Sequence, residues 1–271
     1  MARIGGREEA EGADRRESSA VAKALVAVAA GVGNNYCFKA LAALPAGEIA
    51  ALRSAGLLLV LAPLYVALRR RPRLTAAVLV RAVFEATATL LLIVALGSLP
   101  LTLVATVTMT VPIGVAAVGV FLAGEPVSRI GAAAIALGFA GAAIAIGPTL
   151  SADPLGLAAA IGSALAYVAR DVITRTRVRT APSLDLAFVA GAVTLAGALA
   201  LAPFEVWRAP APGELVLVAA AILLFVLANL LIVAAVRDGR LAIVGATRYS
   251  SVLWAIAIDG AVFGIAPPPA A

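Results

Sequence analysis

The run Leu74-Thr-Ala-Ala-Val-Leu-Val-Arg81-Ala-Val-Phe-Glu85-Ala-Thr-Ala-Thr89-Leu-Leu-Leu-Ile-Val-Ala-Leu-Gly97 carries two charges, both well inside an otherwise apolar stretch. As a helix rising 1.5 Å per residue it reaches about 36 Å, more than the roughly 30 Å hydrocarbon core of a bilayer. Arg69, Arg70, Arg71 and Arg73 bound it on one side and Gly97-Ser98-Leu99-Pro100 on the other. Further runs of this kind cover 20–42, 48–68, 101–123, 130–149, 155–174, 183–204, 215–236 and 241–263. The chain is therefore expected to be an all-α integral membrane protein, a polytopic bundle of about nine transmembrane helices.

Composition agrees. The 271 residues are 63% hydrophobic and 13% charged, against about 45–50% and about 25% in a soluble domain. Nine of the charges lie between Arg3 and Glu17, in a polar leader, residues 1–19, that lacks the apolar segment of a signal peptide and reads as a disordered cytoplasmic tail. The abundant Ala, Gly and Val are small enough to let helix backbones approach closely in lipid.

Whole chemistries drop out. The sequence has no His and a single cysteine, Cys37, which removes histidine zinc sites, a Ser-His-Asp triad, a disulfide within the chain and a CxxC site. No cofactor, no metal and no enzymatic activity are expected. Gly131, Gly138, Gly141 and Gly147 lack the strand, lysine and helix context of a phosphate loop and read as helix packing. The net charge of +6 points to basic loops of a membrane protein rather than to nucleic acid.

The connectors set orientation and order. Short Pro- and Gly-rich links (44–47, 97–100, 151–154, 209–213) alternate with basic ones holding Arg69 to Arg73, Arg129, Arg175 to Arg179, and Arg237 with Arg240. All basic links fall on the side of the N-terminus, which the positive-inside rule places in the cytoplasm. Asp153 before Pro154 reads as an N-cap with proline at the first helical position, and Glu48 and Asp185 as first-turn acids. Leu101–Gly124 aligns without gaps on Leu241–Gly264 at an offset of 140, and Pro45-Ala-Gly-Glu48 on Pro182-Ser-Leu-Asp185 at 137. Matching helices are five spans apart, and an odd repeat inverts the second copy. The expected organisation is a first unit at 20–149 with five helices, a second at 150–264 with four, and a Pro/Ala tail at 265–271.

Ionisable groups inside a span are costly, so each is a functional candidate with a partner to be named. Arg81, Glu85 and Thr89 recur at i, i+4 and i+8 and share one helical face. They either face a water-filled cavity, with Glu85 as substrate or proton site, or form a self-neutralising structural pair. In the ninth span Arg248, Ser251, Ala255 and Asp259 share a face. Arg248 either joins the cavity or snorkels to the interface. Two cations against Glu85 would favour an anionic group on a ligand. Asn35 and Asn229 complete the candidate substrate-binding set of Asn35, Arg81, Glu85, Asn229, Arg248 and Ser251. Pro112 breaks the fourth span and frees carbonyls at depth. Thr102, Thr106 and Thr110 read as interhelical hydrogen bonding, Lys39 and Arg53 as partners of Glu48, and Arg170 and Asp171 as structural charges near the cytoplasmic end.

Pro45-Ala-Gly-Glu48-Ile-Ala-Ala-Leu-Arg53-Ser, Ser98-Leu-Pro-Leu101, Gly124-Glu125-Pro126 and Arg248-Tyr-Ser-Ser-Val-Leu-Trp254-Ala together resemble the drug/metabolite transporter superfamily, EamA type, over about residues 20–264. The resemblance implies a bacterial inner-membrane secondary transporter with two five-helix inverted units around a central cavity, working by alternating access. Its cargo would be a small polar metabolite, amino-acid-like and zwitterionic or anionic, or similar to S-adenosylmethionine. Its partners would be this substrate and the lipid bilayer, with no nucleic acid and a homodimer as a candidate assembly. Where the pattern has a second Gly-Glu pair the chain reads Gly264-Ile265, so the second repeat is expected to be incomplete, lacking the tenth helix. The alternative is a truncated, non-transporting remnant.

Overall fold

The computed structural model describes residues 2–121, 153–178, 180–238 and 247–264. Every regular element among them is helical: α1 (Ala2–Ala40), α2 (Ala46–Ala67), α3 (Ala76–Ser98), α4 (Leu101–Thr108), α5 (Thr110–Phe121), α6 (Pro154–Thr176), α7 (Ser183–Leu201), α8 (Pro212–Asp238) and α9 (Ser250–Phe263), with 3₁₀ turns at Ala202–Phe204 and Thr247–Tyr249. The expected span at 130–149, the repeat residues 241–246, Gly124-Glu125-Pro126 and the tail at 265–271 lie outside the described residues.

Local chemistry explains most boundaries. The Thr75 hydroxyl accepts from the Val78 N–H at 3.3 Å and starts α3. Asp153 does the same for α6, accepting from the Gly156 N–H at 2.9 Å with Pro154 in the first turn. That bond, then the Ser98 hydroxyl, holds the Asp153 carboxyl below its usual range. The fourth run is split at Met109, where the chain tightens between α4 and α5; Pro112, with no N–H to give, cannot complete the ladder there. Gly264, at φ 63°, closes α9 in the left-handed conformation open to glycine.

Seven helices among the described residues are long and apolar enough to cross a membrane: Glu17–Ala40, Ala46–Ala67, Ala76–Ser98, Leu101–Gly119, Pro154–Thr174, Ser183–Phe204 and Pro212–Ile232. The ninth expected span is represented by α9, whose 14 residues fall short of the roughly 20 needed for a crossing. At the leader, expected as a disordered tail, α1 is drawn as helix from Ala2, continuous with the first span. Ala, Glu and Arg, frequent there, are strong helix formers. Outward faces remain apolar, with Leu59, Val66, Leu155 and Phe204 exposed, as a lipid-facing surface requires.

Helix α1 packs along α8, α3 along α6 and α7, and α2 along α7, while α9 lies against α4 and α1. Wholly buried Ala50, Ala88, Ala95 and Ala198 keep the backbones close, and the Ser163 hydroxyl donates to the Ala88 carbonyl across α6 and α3 at 2.8 Å. The carboxylate of Asp259 on α9 takes the Leu101 and Thr102 N–H groups (3.1 and 2.6 Å) and the Thr102 hydroxyl (2.7 Å) at the start of α4.

Two buried acids tie α2 and α7 at both ends. Glu48, in the first turn of α2, accepts from the Arg208 N–H beyond α7 at 3.3 Å. Asp185, in the first turn of α7, accepts from the Arg73 N–H beyond α2 at 3.2 Å and from the Tyr65 hydroxyl at 2.6 Å. The first-turn positions match the sequence reading, but the partners are distant. Lys39 and Arg53 are not those partners: Lys39 donates to the Leu99 carbonyl at 2.6 Å, and Arg53 turns inward. Tyr65→Phe removes one charge-assisted bond from a buried hydroxyl and is expected to lower stability by about 1.5–3 kcal/mol, read from thermal or denaturant unfolding in detergent.

Candidate functional site

A cavity of about 330 Å³ opens between α1, α2, α3, α4, α5, α6, α8 and α9. Its wall is mixed. Val28, Val32, Phe38, Leu92 and Phe225 supply apolar surface, while Asn34, Asn35, Thr89, Asn229 and Ser251 supply polar groups. Arg53, Glu85, Arg170, Asp171 and Arg248 supply charge. Few convergent polar groups on an apolar wall are the usual composition of a small-molecule site.

The charges are organised around Glu85. Its carboxylate takes the Arg81 guanidinium one turn earlier at 3.0 Å and the Arg170 guanidinium from α6 at 3.1 Å. Arg170 also binds the adjacent Asp171 at 2.7 Å and lies over the Tyr167 ring, 4.5 Å from its centroid. Arg81 is held from its other side by the Thr174 hydroxyl, to which its Nε donates at 3.1 Å. Three cations (Arg53, Arg170, Arg248) thus face two anions (Glu85, Asp171) on the wall, with Arg81 behind them. The wall carries a positive excess.

Residues 18–147 match the EamA-like transporter family. Over these residues the chain is similar to that family. The match agrees with the resemblance to the drug/metabolite transporter superfamily, and with seven apolar spans among the described residues the chain is a multi-pass membrane protein with a transporter-like helical bundle. A comparison with curated proteins returned no match.

The matched stretch supplies one side of the cavity from α1 to α5, and α6, α8, the 3₁₀ turn at Thr247–Tyr249 and α9 supply the other. Of the six residues singled out by sequence, Asn35, Glu85, Asn229, Arg248 and Ser251 line the cavity. Arg81 does not; it stands one layer back, paired to Glu85. Arg248 lies in the 3₁₀ turn before α9 and is exposed as well as cavity-lining, which puts it at the cavity mouth. The Asn229 side chain bonds back to the Phe225 carbonyl at 2.8 Å. The threonine stripe divides: Thr102 bonds across to Asp259, whereas Thr106 and Thr110 bond to carbonyls of their own segment. The cavity instead uses Thr108 and Pro112 of the broken fourth run.

Arg53, Tyr167 and Arg170 are lining residues that the sequence reading missed. Arg170 and Asp171 form an ion pair, but Arg170 reaches Glu85 in the cavity as well, so it is more than a structural charge. The signal was available for Arg53: it lies about 10 Å into α2 at 1.5 Å per residue, against about 8 Å for Arg81 in α3, and the cost of an intramembrane charge applies to both.

Proposed function

We propose that the chain is a secondary transporter that carries a small polar metabolite, zwitterionic or anionic and amino-acid-like, through this cavity by alternating access. The observation that carries the reading is the cavity itself, lined by spans from both halves and cationic on balance. Its volume of about 330 Å³ lies at the small end of the roughly 300–1,000 Å³ range of ligand sites, which favours an amino-acid-sized cargo over an S-adenosylmethionine-like one.

The helix packing supports the inverted-repeat organisation of units at 20–149 and 150–264. Exchanging α1 with α6 and α3 with α8 turns the α1–α8 pair into the α6–α3 pair, and both are extensive contacts. The α2–α7 pair maps onto itself, with Glu48 and Asp185 exchanged. The basic connectors support an N-terminus in the cytoplasm; a bacterial inner membrane is what the family resemblance implies.

The test is uptake by the purified protein in liposomes. Saturable accumulation of an acidic or zwitterionic amino-acid-like solute, absent from empty liposomes and independent of ATP, is the expected result. Absence of uptake across a panel of amino acids, keto acids and their derivatives removes the proposal.

A further inference from the structure

The cationic groups of the site differ in how they are held. Arg81 and Arg170 are bound to carboxylates. Arg53 is not: it makes no hydrogen bond and no ion pair with any described residue, and its Nε is buried without a partner. Its guanidinium carbon lies 4.3 Å from the centroid of the Phe225 ring on α8 and 5.4 Å from that of Phe38 on α1. Cation–π contacts of this kind position the head group without using its N–H donors.

Two other cavity groups are in the same condition. The Asn34 Oδ1 and the Ser251 Oγ are buried and unpartnered, and both residues line the same cavity as Arg53. Buried polar atoms are almost always satisfied, so three exceptions on one wall mark the positions where a ligand's own polar groups belong. A charged fork with a free donor calls for a planar oxyanion, since guanidinium and carboxylate match in geometry and can share two parallel bonds.

We propose that Arg53 is the residue that recognises the ligand's charged end, and that this end is a carboxylate bound in the plane of the guanidinium while Phe225 and Phe38 cover its surroundings. The inference rests on the reading of the cavity as a transport site and names the group that sets its specificity. A carboxylate suits the wall better than a phosphate dianion does, because Glu85 and Asp171 face the same space. Asn34 Oδ1 then takes a hydrogen-bond donor from the remainder of the ligand.

The experiment is liposome uptake by wild type, Arg53→Met and Arg53→Lys, with a panel of amino and keto acids each paired with its carboxamide. Wild type is expected to prefer the acid over its amide by about 10- to 150-fold, the range of one charge-assisted hydrogen bond. In Arg53→Met the preference collapses towards unity. In Arg53→Lys, which keeps the charge and stem but not the fork, it falls without vanishing. Unchanged preference in Arg53→Met overturns the proposal and leaves the transporter reading intact. If Arg53→Met does not fold, Arg53→Lys decides, and there an unchanged preference overturns the proposal. Uptake of neither acid nor amide by wild type overturns the transporter reading and this proposal with it.

Discussion

Replacing Glu85 by leucine is expected to lower stability by about 3–5 kcal/mol, the cost of breaking a buried ion pair from one side. The carboxylate serves two guanidiniums from two helices, Arg81 at 3.0 Å on its own helix and Arg170 at 3.1 Å on α6, and the three side chains are only 13–21% exposed. Leucine fills a similar volume but leaves Arg81 with one neutral hydroxyl partner and Arg170 with Asp171 alone. Glu85→Gln separates charge from shape: it keeps an acceptor for each guanidinium and removes the negative charge. If Glu85 carries a coupled proton, the glutamine variant loses the pH dependence of uptake. An unchanged pH profile assigns the carboxylate to holding α3 and α6 together. Thermal melts in detergent measure the first effect and liposome uptake across a pH series the second.

Asp259→Ala is expected to be as damaging for a different reason. One carboxylate, 2% exposed, accepts from two backbone N–H groups and one hydroxyl at the N-terminus of α4. Hydrogen bonds to a charged group are worth about 1.5–3 kcal/mol each, and the N-terminal end of a helix adds a favourable dipole. The three share one acceptor and do not add fully, so a loss of roughly 3–5 kcal/mol is expected. Asp259→Asn keeps one acceptor oxygen and is expected to recover part of it. A melting temperature for Asp259→Ala equal to that of wild type would show that α9 does not depend on this attachment.

Sequence and structure meet wherever a residue's role is local. The runs at 48–68, 74–97, 155–174, 183–204 and 215–236 are helices within a few residues of the expected ends, Asp153 and Pro154 start α6 together, and the acids after Pro45 and Pro182 fall in first turns. Such features depend on spacing along the chain, and spacing is visible. Arg53 shows where that visibility stops. Nothing in its own helix distinguishes a guanidinium aimed at Phe225 and Phe38 from one aimed at Glu48, because those rings come from α8 and α1 and the choice is made by packing. Arg170 lay hidden for a related reason. Its adjacent Asp171 offered a complete explanation, yet a guanidinium has five N–H donors and one neighbour left enough of them free to reach Glu85.

The paired acids of α2 and α7 also impose an order in time. When Asp185 is synthesised, both Tyr65 and Arg73 already exist. Glu48 meets its partner only when Arg208 is made, 160 residues later. At about 5–20 residues per second that is a delay of roughly 8–30 s. For that interval a carboxyl destined for 3% exposure waits near the membrane for a backbone group still to be translated, so the first half of the chain cannot reach its final form before most of the second has been made.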